Sequence, residues 1–140
     1  VDAYTHGGKR RVIVETPYAA SSPEPDRAPH EIEHNLRYLR ACLHDCIRRG
    51  EAPFASHGLY TQPGVLLDSN PEQRKLGIEA GFAWKDVAHA TVVYTDLGIS
   101  KGMSYGIDAS ERIGQKIEWR TLGGGWDTIT GDLATEQWGR

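Results

Sequence analysis

The 140-residue chain is long enough for one domain with its own core and too short for two. Hydrophobic residues make up 39% and charged residues 25%, as in ordinary globular domains, and no apolar run reaches membrane-spanning length. The net charge of −3 gives no general attraction to polymeric nucleic acid or to an anionic membrane, so neither is expected as a partner.

The polar N-terminus has no signal-peptide pattern. Lys9, Arg10 and Arg11 form a local basic group, either a solvated arm or a small anion-attracting patch. Residues 11–15 are a β-branched run closed by Thr16-Pro17-Tyr18, a first strand stopped by proline. Residues 19–30, with Pro23, Pro25 and Pro29, are expected to form a long loop of the kind often used in function. From Glu31 to Arg49, the apolar positions Ile32, Leu36, Leu39, Leu43 and Cys46 step by four, three, four and three, an amphipathic helix with Gly50 just beyond it. Cys42 and Cys46 share one face of that helix and read as small buried hydrophobes in a reducing, cytoplasmic setting. His30 and His34 are also four apart, but they lack further ligands and no metal site is expected.

Residues 52–56 read as a short second strand leading into His57, and Pro53 assigns it to the sheet edge. Asn70-Pro71-Glu72-Gln73 is a helix start, with Leu76, Ala80, Ala83 and Val87 expected on the buried face. Trp84 on the same helix suits core or a subunit interface. The third strand is predicted over 91–95, a third helix over 101–113 and the last strand over 116–120, where Glu111, Arg112, Lys116 and Glu118 read as solvated surface. Residues 121–140, with Gly123-Gly124-Gly125, Trp126 and Trp138, form a tail outside the 1–120 domain, either a free end or a flap onto a neighbouring subunit.

This βαβαβαβ order predicts a flavodoxin-like or Rossmann-like α/β three-layer sandwich around a four-stranded parallel sheet, with strand order 2-1-3-4. Ligands in such sheets bind at the strands' carboxyl ends, beside the switch point between strands 1 and 3. Tyr18, the 19–30 loop, His57, Asp96 and Ser100 converge there. The opening Ser100-Lys101-Gly102-Met103 exposes free amides at the positive end of a helix dipole, suited to a small anion; as an ordinary N-cap, Ser100 needs no ligand.

Val14-Glu15-Thr16-Pro17-Tyr18, Ser100-Lys101-Gly102-Met103 and Gly114-Gln115-Lys116-Ile117, in this order and spacing, resemble the nucleoside 2-deoxyribosyltransferase superfamily. The similarity is to its small, often phage-encoded branch and spans residues 11–120. It implies a homo-oligomer that binds a nucleoside or nucleoside monophosphate, needs no cofactor, and cleaves or exchanges the N-glycosidic bond through a carboxylate that attacks the anomeric carbon. It also implies that Ser100 and Gly102 help hold a 5′-phosphate. The position of the superfamily's nucleophilic glutamate, four residues after Gly102, is Gly106 here. Asp108 lies two residues on, rotated by about 200° around a helix. A second acid expected on the middle helix falls near Ala83, with Glu79 and Asp86 as imperfect substitutes.

The candidate catalytic residues are therefore Tyr18, Asp96 and Asp108. Tyr18 would orient the carboxylate or is an ordinary rim aromatic; Asp96 would bind ribose, assist the leaving group or cap its turn. Pro17, Asn35 and His57 join Ser100, Gly102 and Met103 as candidate substrate contacts, His57 as phosphate donor or acid–base group. The leading expectation is hydrolase or transferase chemistry on a nucleoside 5′-monophosphate. The alternatives are a non-catalytic nucleotide sensor or sponge lacking the nucleophile, and an interaction protein that works through its Trp-bearing tail.

Overall fold

Val12 and Val14 point to one side of strand β1 (Arg10–Glu15), and Ile13 and Glu15 to the other, because successive side chains alternate across a strand. In the computed structural model, which describes residues 7–21 and 24–127, this alternation divides the molecule into two unlike halves. Val12 and Val14 meet Tyr38, Leu39, Cys42 and Cys46 of helix α1 (Ala28–Arg48) in the main core, with Ala90, Val92 and Tyr94 of strand β3 (Ala90–Tyr94). The opposite face of β1 and β3 sets Glu15 and Thr91 beside Ile13 and Val93.

The sheet is wholly parallel, in the order β2-β1-β3-β4 expected from the sequence, with β2 at Glu51–Phe54 and β4 at Lys116–Arg120. Arg10 pairs in register with Glu51, Val12 with Ala90, and Ala90 with Lys116. Pro53 sits on the edge strand, where its missing N–H leaves no gap in the ladder. A short helix α2 (Ser56–Leu59) follows β2, and α3 (Pro71–Ala83) runs into a 3₁₀ turn at Trp84–Val87. Helix α4 (Lys101–Arg112) joins β3 to β4.

Several expected boundaries and faces differ. Helix α1 begins at Ala28, because Pro29 occupies its first turn as an initiator and shortens the expected 19–30 loop. Asn70 caps α3 as expected, its side chain accepting from the Glu72 and Gln73 amides at 3.0 Å. The buried face of α3 is not Leu76, Ala80, Ala83 and Val87, all of which are exposed; Gln73, Arg74, Gly77, Ile78 and Gly81 face inward. The helix covers a cavity rather than a core, so its inner face mixes Gln73 and Arg74 with two glycines, Ile78 and Phe82. Trp84 is half-exposed, its ring 5.1 Å from Phe54 and its indole N–H donating to the Tyr60 hydroxyl.

The basic group at residues 9–11 is largely consumed by the fold. Arg10 pairs with Glu51 and Glu118, and Arg11 donates to the Val87 carbonyl. Glu118 is accordingly not free surface: its bond to Arg10 holds its carboxyl down to about 2, and it also meets Arg120. Cys42 and Cys46 are buried and unbonded to each other, and no described helix is long and apolar enough to cross a membrane. Trp126 packs on its own chain, 4.9 Å from Tyr38 and 5.2 Å from His34; Trp138 lies outside the described residues.

Candidate active site

The carboxyl ends of β1 and β2 and the starts of α2 and α4 surround a cavity of about 420 Å³ roofed by α3, within the range of small-molecule sites. Tyr18, His57, Ser100, Gly102 and Met103 all line it. A second depression, sharing Tyr18, Asp68 and Arg74, continues outward beneath the 61–69 loop.

Its floor is built from the face of the sheet that carries Glu15. Glu15 Oε2 lies 3.3 Å from the Lys85 ammonium, which also donates to Thr91 Oγ1 at 3.2 Å and Ser110 Oγ at 3.0 Å. Lys85 is 3% exposed, so its three donors are fully used inside the protein. Gln115 closes the network: its Oε1 accepts from Thr91, and its Nε2 donates to the carbonyls of Lys85 and Ala88. Desolvation raises the Glu15 pKa to about 7 against the opposing pull of Lys85, whose own value burial lowers.

Opposite Glu15 stands Gly106. A Cβ at that position would meet the whole carboxylate, with Oε1 at 2.7 Å, inside the 3.0 Å that packed Cβ atoms respect. The glycine is thus required by the carboxylate it faces.

His57 is the second residue of the short helix after β2, its Nε2 2.6 Å from Thr16 Oγ1. Burial lowers its pKa to about 4, so the ring is neutral at pH 7 and serves as a hydrogen-bonding group rather than a cation. Gly81 lets α3 close over this point, since a Cβ there would stand 2.7 Å from Ser56 Cβ.

The anion-binding corner lies at the start of α4. Ser100 Oγ accepts from the Met103 amide at 3.2 Å, leaving the amides of Lys101 and Gly102 open at the helix start. Arg74 comes down from α3, held by Asp68 at 3.0 Å, and places Nη2 3.6 Å from where a Gly102 Cβ would be. A guanidinium and a helix N-terminus therefore face one volume, a pairing suited to phosphate.

A family model described as "Domain of unknown function (DUF7768)" matches residues 10–120, all four strands included. The chain belongs to this family. Among solved structures, it is similar to the 2-deoxyribosyltransferase of the psychrotolerant bacterium Bacillus psychrosaccharolyticus. That match has a TM-score of 0.52 and 16% identity, and covers 89% of this chain and 94% of the other. The DUF7768 chain thus has a nucleoside 2-deoxyribosyltransferase-like fold. No curated protein sequence matches it.

Other sequence-predicted residues of the DUF7768 chain stand elsewhere. Asp96 does not line the cavity; its carboxylate accepts from the Tyr38 hydroxyl and from the Leu122 and Gly123 amides on the α1 side of the sheet. Asp108 is exposed on α4, turned away as its spacing from Gly106 requires. Asn35 is buried and donates to the Tyr18 carbonyl, fixing the loop rather than lining the cavity, and Pro17 is buried beneath that loop. Among the described residues, no three His, Cys, Asp or Glu side chains are grouped to hold a metal.

Glu15, Lys85, Arg74 and Asp68 were not foreseen as site residues. For Glu15 a signal was present: period-two alternation sends a carboxylate inward at the end of a buried strand. Lys85 and Arg74 had none, because helical periodicity does not say that a helix faces a cavity.

Proposed function

We propose that this chain binds a nucleoside 5′-monophosphate and acts on its N-glycosidic bond, as a hydrolase or transferase. The observation that carries the reading is the presence of an anion corner and a carboxylate in one cavity. Ser100, the Gly102 amide and Arg74 would hold the phosphate, with Met103 beneath. Tyr18 would border the sugar, and the Glu15–Lys85 pair lines the same cavity. A carboxylate beside the anomeric carbon stabilises the positive charge that develops as a glycosidic bond breaks. The fold shared with a 2-deoxyribosyltransferase supports the reading at the level of architecture.

A second reading, a nucleotide sensor or sponge without chemistry, is favoured by Gly106 at the superfamily's nucleophile position and by the placement of Asp96 and Asp108 outside the cavity. A homo-oligomer belongs to either reading, supported by the exposed apolar side chains of Leu76, Trp84 and Val87 along α3 and its 3₁₀ extension. An intracellular site of action, host cytoplasm for a phage-encoded chain, is proposed with them.

Incubation with a panel of ribo- and deoxyribonucleoside monophosphates, followed by mass spectrometry of retained ligand and released base, separates the two. Free base is expected. A retained, intact nucleotide would establish the sensor instead.

A further inference from the structure

The inference that follows rests on the glycosidic reading and deepens it. We propose that Glu15 is the nucleophile of this site, its carboxylate seated against Gly106 and its Oε1 attacking the anomeric carbon.

The carboxylates lining the cavity are Glu15 and Asp68. Asp68 is engaged by Arg74 at 3.0 Å, a pair that holds the guanidinium over the anion corner. Glu15 is held through Oε2 alone, and its Oε1 has no hydrogen-bond partner among the described residues. Lys85, fixed in turn by Thr91 and Ser110, sets the carboxylate's direction from behind. Gly106 gives the carboxylate its seat: any side chain there would displace it. An ion pair needed only for stability would not require an open carboxylate oxygen on the cavity wall.

The carboxylate has thus moved from the helix to the strand. A glutamate on α4 and one at the end of β1 would compete for the same volume, and this chain fills it from β1. In the step proposed, Oε1 forms a bond to C1′ while the C1′–N bond breaks. The base leaves with the electron pair and takes a proton from water. The resulting hydroxide adds to C1′, and the ester bond breaks with its electrons returned to Glu15. The products are the free base and a pentose 5-phosphate.

The test uses the full chain with 2′-fluoro-substituted nucleoside 5′-monophosphates, whose fluorine slows hydrolysis of a glycosyl ester, alongside the natural nucleotide panel. An adduct of the sugar phosphate is expected in the intact mass and, after proteolysis, on the peptide carrying Glu15. Glu15→Gln should reduce base release roughly a thousandfold or more. Because that variant leaves Lys85 unpaired and can fail to fold, the adduct on the unaltered chain decides independently. Base release that continues in Glu15→Gln, or that proceeds with no adduct at Glu15, overturns the inference and leaves the glycosidic reading standing. Retained nucleotide with no base release from any substrate overturns both.

Discussion

The Tyr38 hydroxyl donates to Asp96 Oδ1 at 2.5 Å and accepts from the Asp96 amide at 2.9 Å, so α1 and the loop after β3 are locked reciprocally. Both carboxylate oxygens of Asp96 also accept from the Leu122 amide, and Oδ2 from that of Gly123. These bonds turn the chain leaving β4 back over α1, where Leu122 and Trp126 pack on the core. Asp96 and the start of the tail form one structural unit on the side of the sheet away from the cavity.

Asp96→Ala should therefore act on stability rather than on chemistry. It strands the Leu122 and Gly123 amides and the Tyr38 hydroxyl, a loss of about 3 kcal/mol at the usual cost of abandoned partners. Urea unfolding measures it, and nucleotide retention by the folded variant should match the parent. A stable variant that no longer binds nucleotide would return Asp96 to the site.

Arg74→Gln should separate phosphate from sugar and base. Loss of a charge-assisted contact worth about 1.5–3 kcal/mol lowers monophosphate affinity roughly 10- to 100-fold. Nucleoside affinity, measured by calorimetry under the same conditions, should not change. An equal loss for both ligands would mean that Arg74 shapes the cavity without meeting the phosphate.

Two glycines on one helix should respond in opposite senses. Gly106→Ala drives a methyl into the Glu15 carboxylate, and overpacking of this kind costs about 1–3 kcal/mol. At Gly102 the nearest atom to an added Cβ is Arg74 Nη2 at 3.6 Å, an ordinary contact, so alanine there keeps part of the roughly 1 kcal/mol advantage of alanine over glycine in helices. Urea midpoints should fall for Gly106→Ala and hold or rise for Gly102→Ala. A stable Gly106→Ala protein would mean that Glu15 has another place to go.

The strand order and the starts of α3 and α4 were legible because they rest on local signals: β-branched runs, the Asn70-Pro71 cap, the Ser100 opening. The start of α1 and the face of α3 were not. Pro29 reads alike as loop former and helix initiator until its neighbours are placed. Leu76, Ala80, Ala83 and Val87 look like a core stripe, but the opposite face covers a cavity. In the site, Tyr18, His57, Ser100, Gly102 and Met103 were found from their places at strand and helix ends. Asp96 was placed at the correct strand end, yet its side chain bonds toward α1, which only the three-dimensional packing determines. Gly106 was legible as a missing carboxylate; that Glu15 fills the same space is a contact across 91 positions of sequence, beyond any local pattern.

Two buried titratable groups of the cavity, Glu15 and His57, give stability slopes of opposite sign. Desolvation lifts Glu15 from 4.5 to about 7, with Lys85 opposing it as the charged group facing its carboxylate; α4 and β3 present only Gly106, Ser110 and Thr91. The native state therefore holds this proton more tightly than the unfolded chain. Its contribution is complete below pH 4.5 and is lost as pH rises through 7. Burial lowers His57 from 6.5 to about 4, so its contribution is present above pH 6.5 and is lost as pH falls through 4. Over pH 4.5–6.5 the two slopes oppose each other, while Glu118, held near 2, acts below that window. In His57→Gln the opposition is removed, and stability from urea unfolding should decline as pH rises from 4.5 to 7, more steeply than in the parent. A variant whose stability stays flat or rises there would place the Glu15 proton outside this range. The same ionisation sets the rate: a carboxylate nucleophile must be deprotonated, so base release should climb with pH through about 7. A rate that falls through that value would make Glu15 a proton donor and not the attacking group.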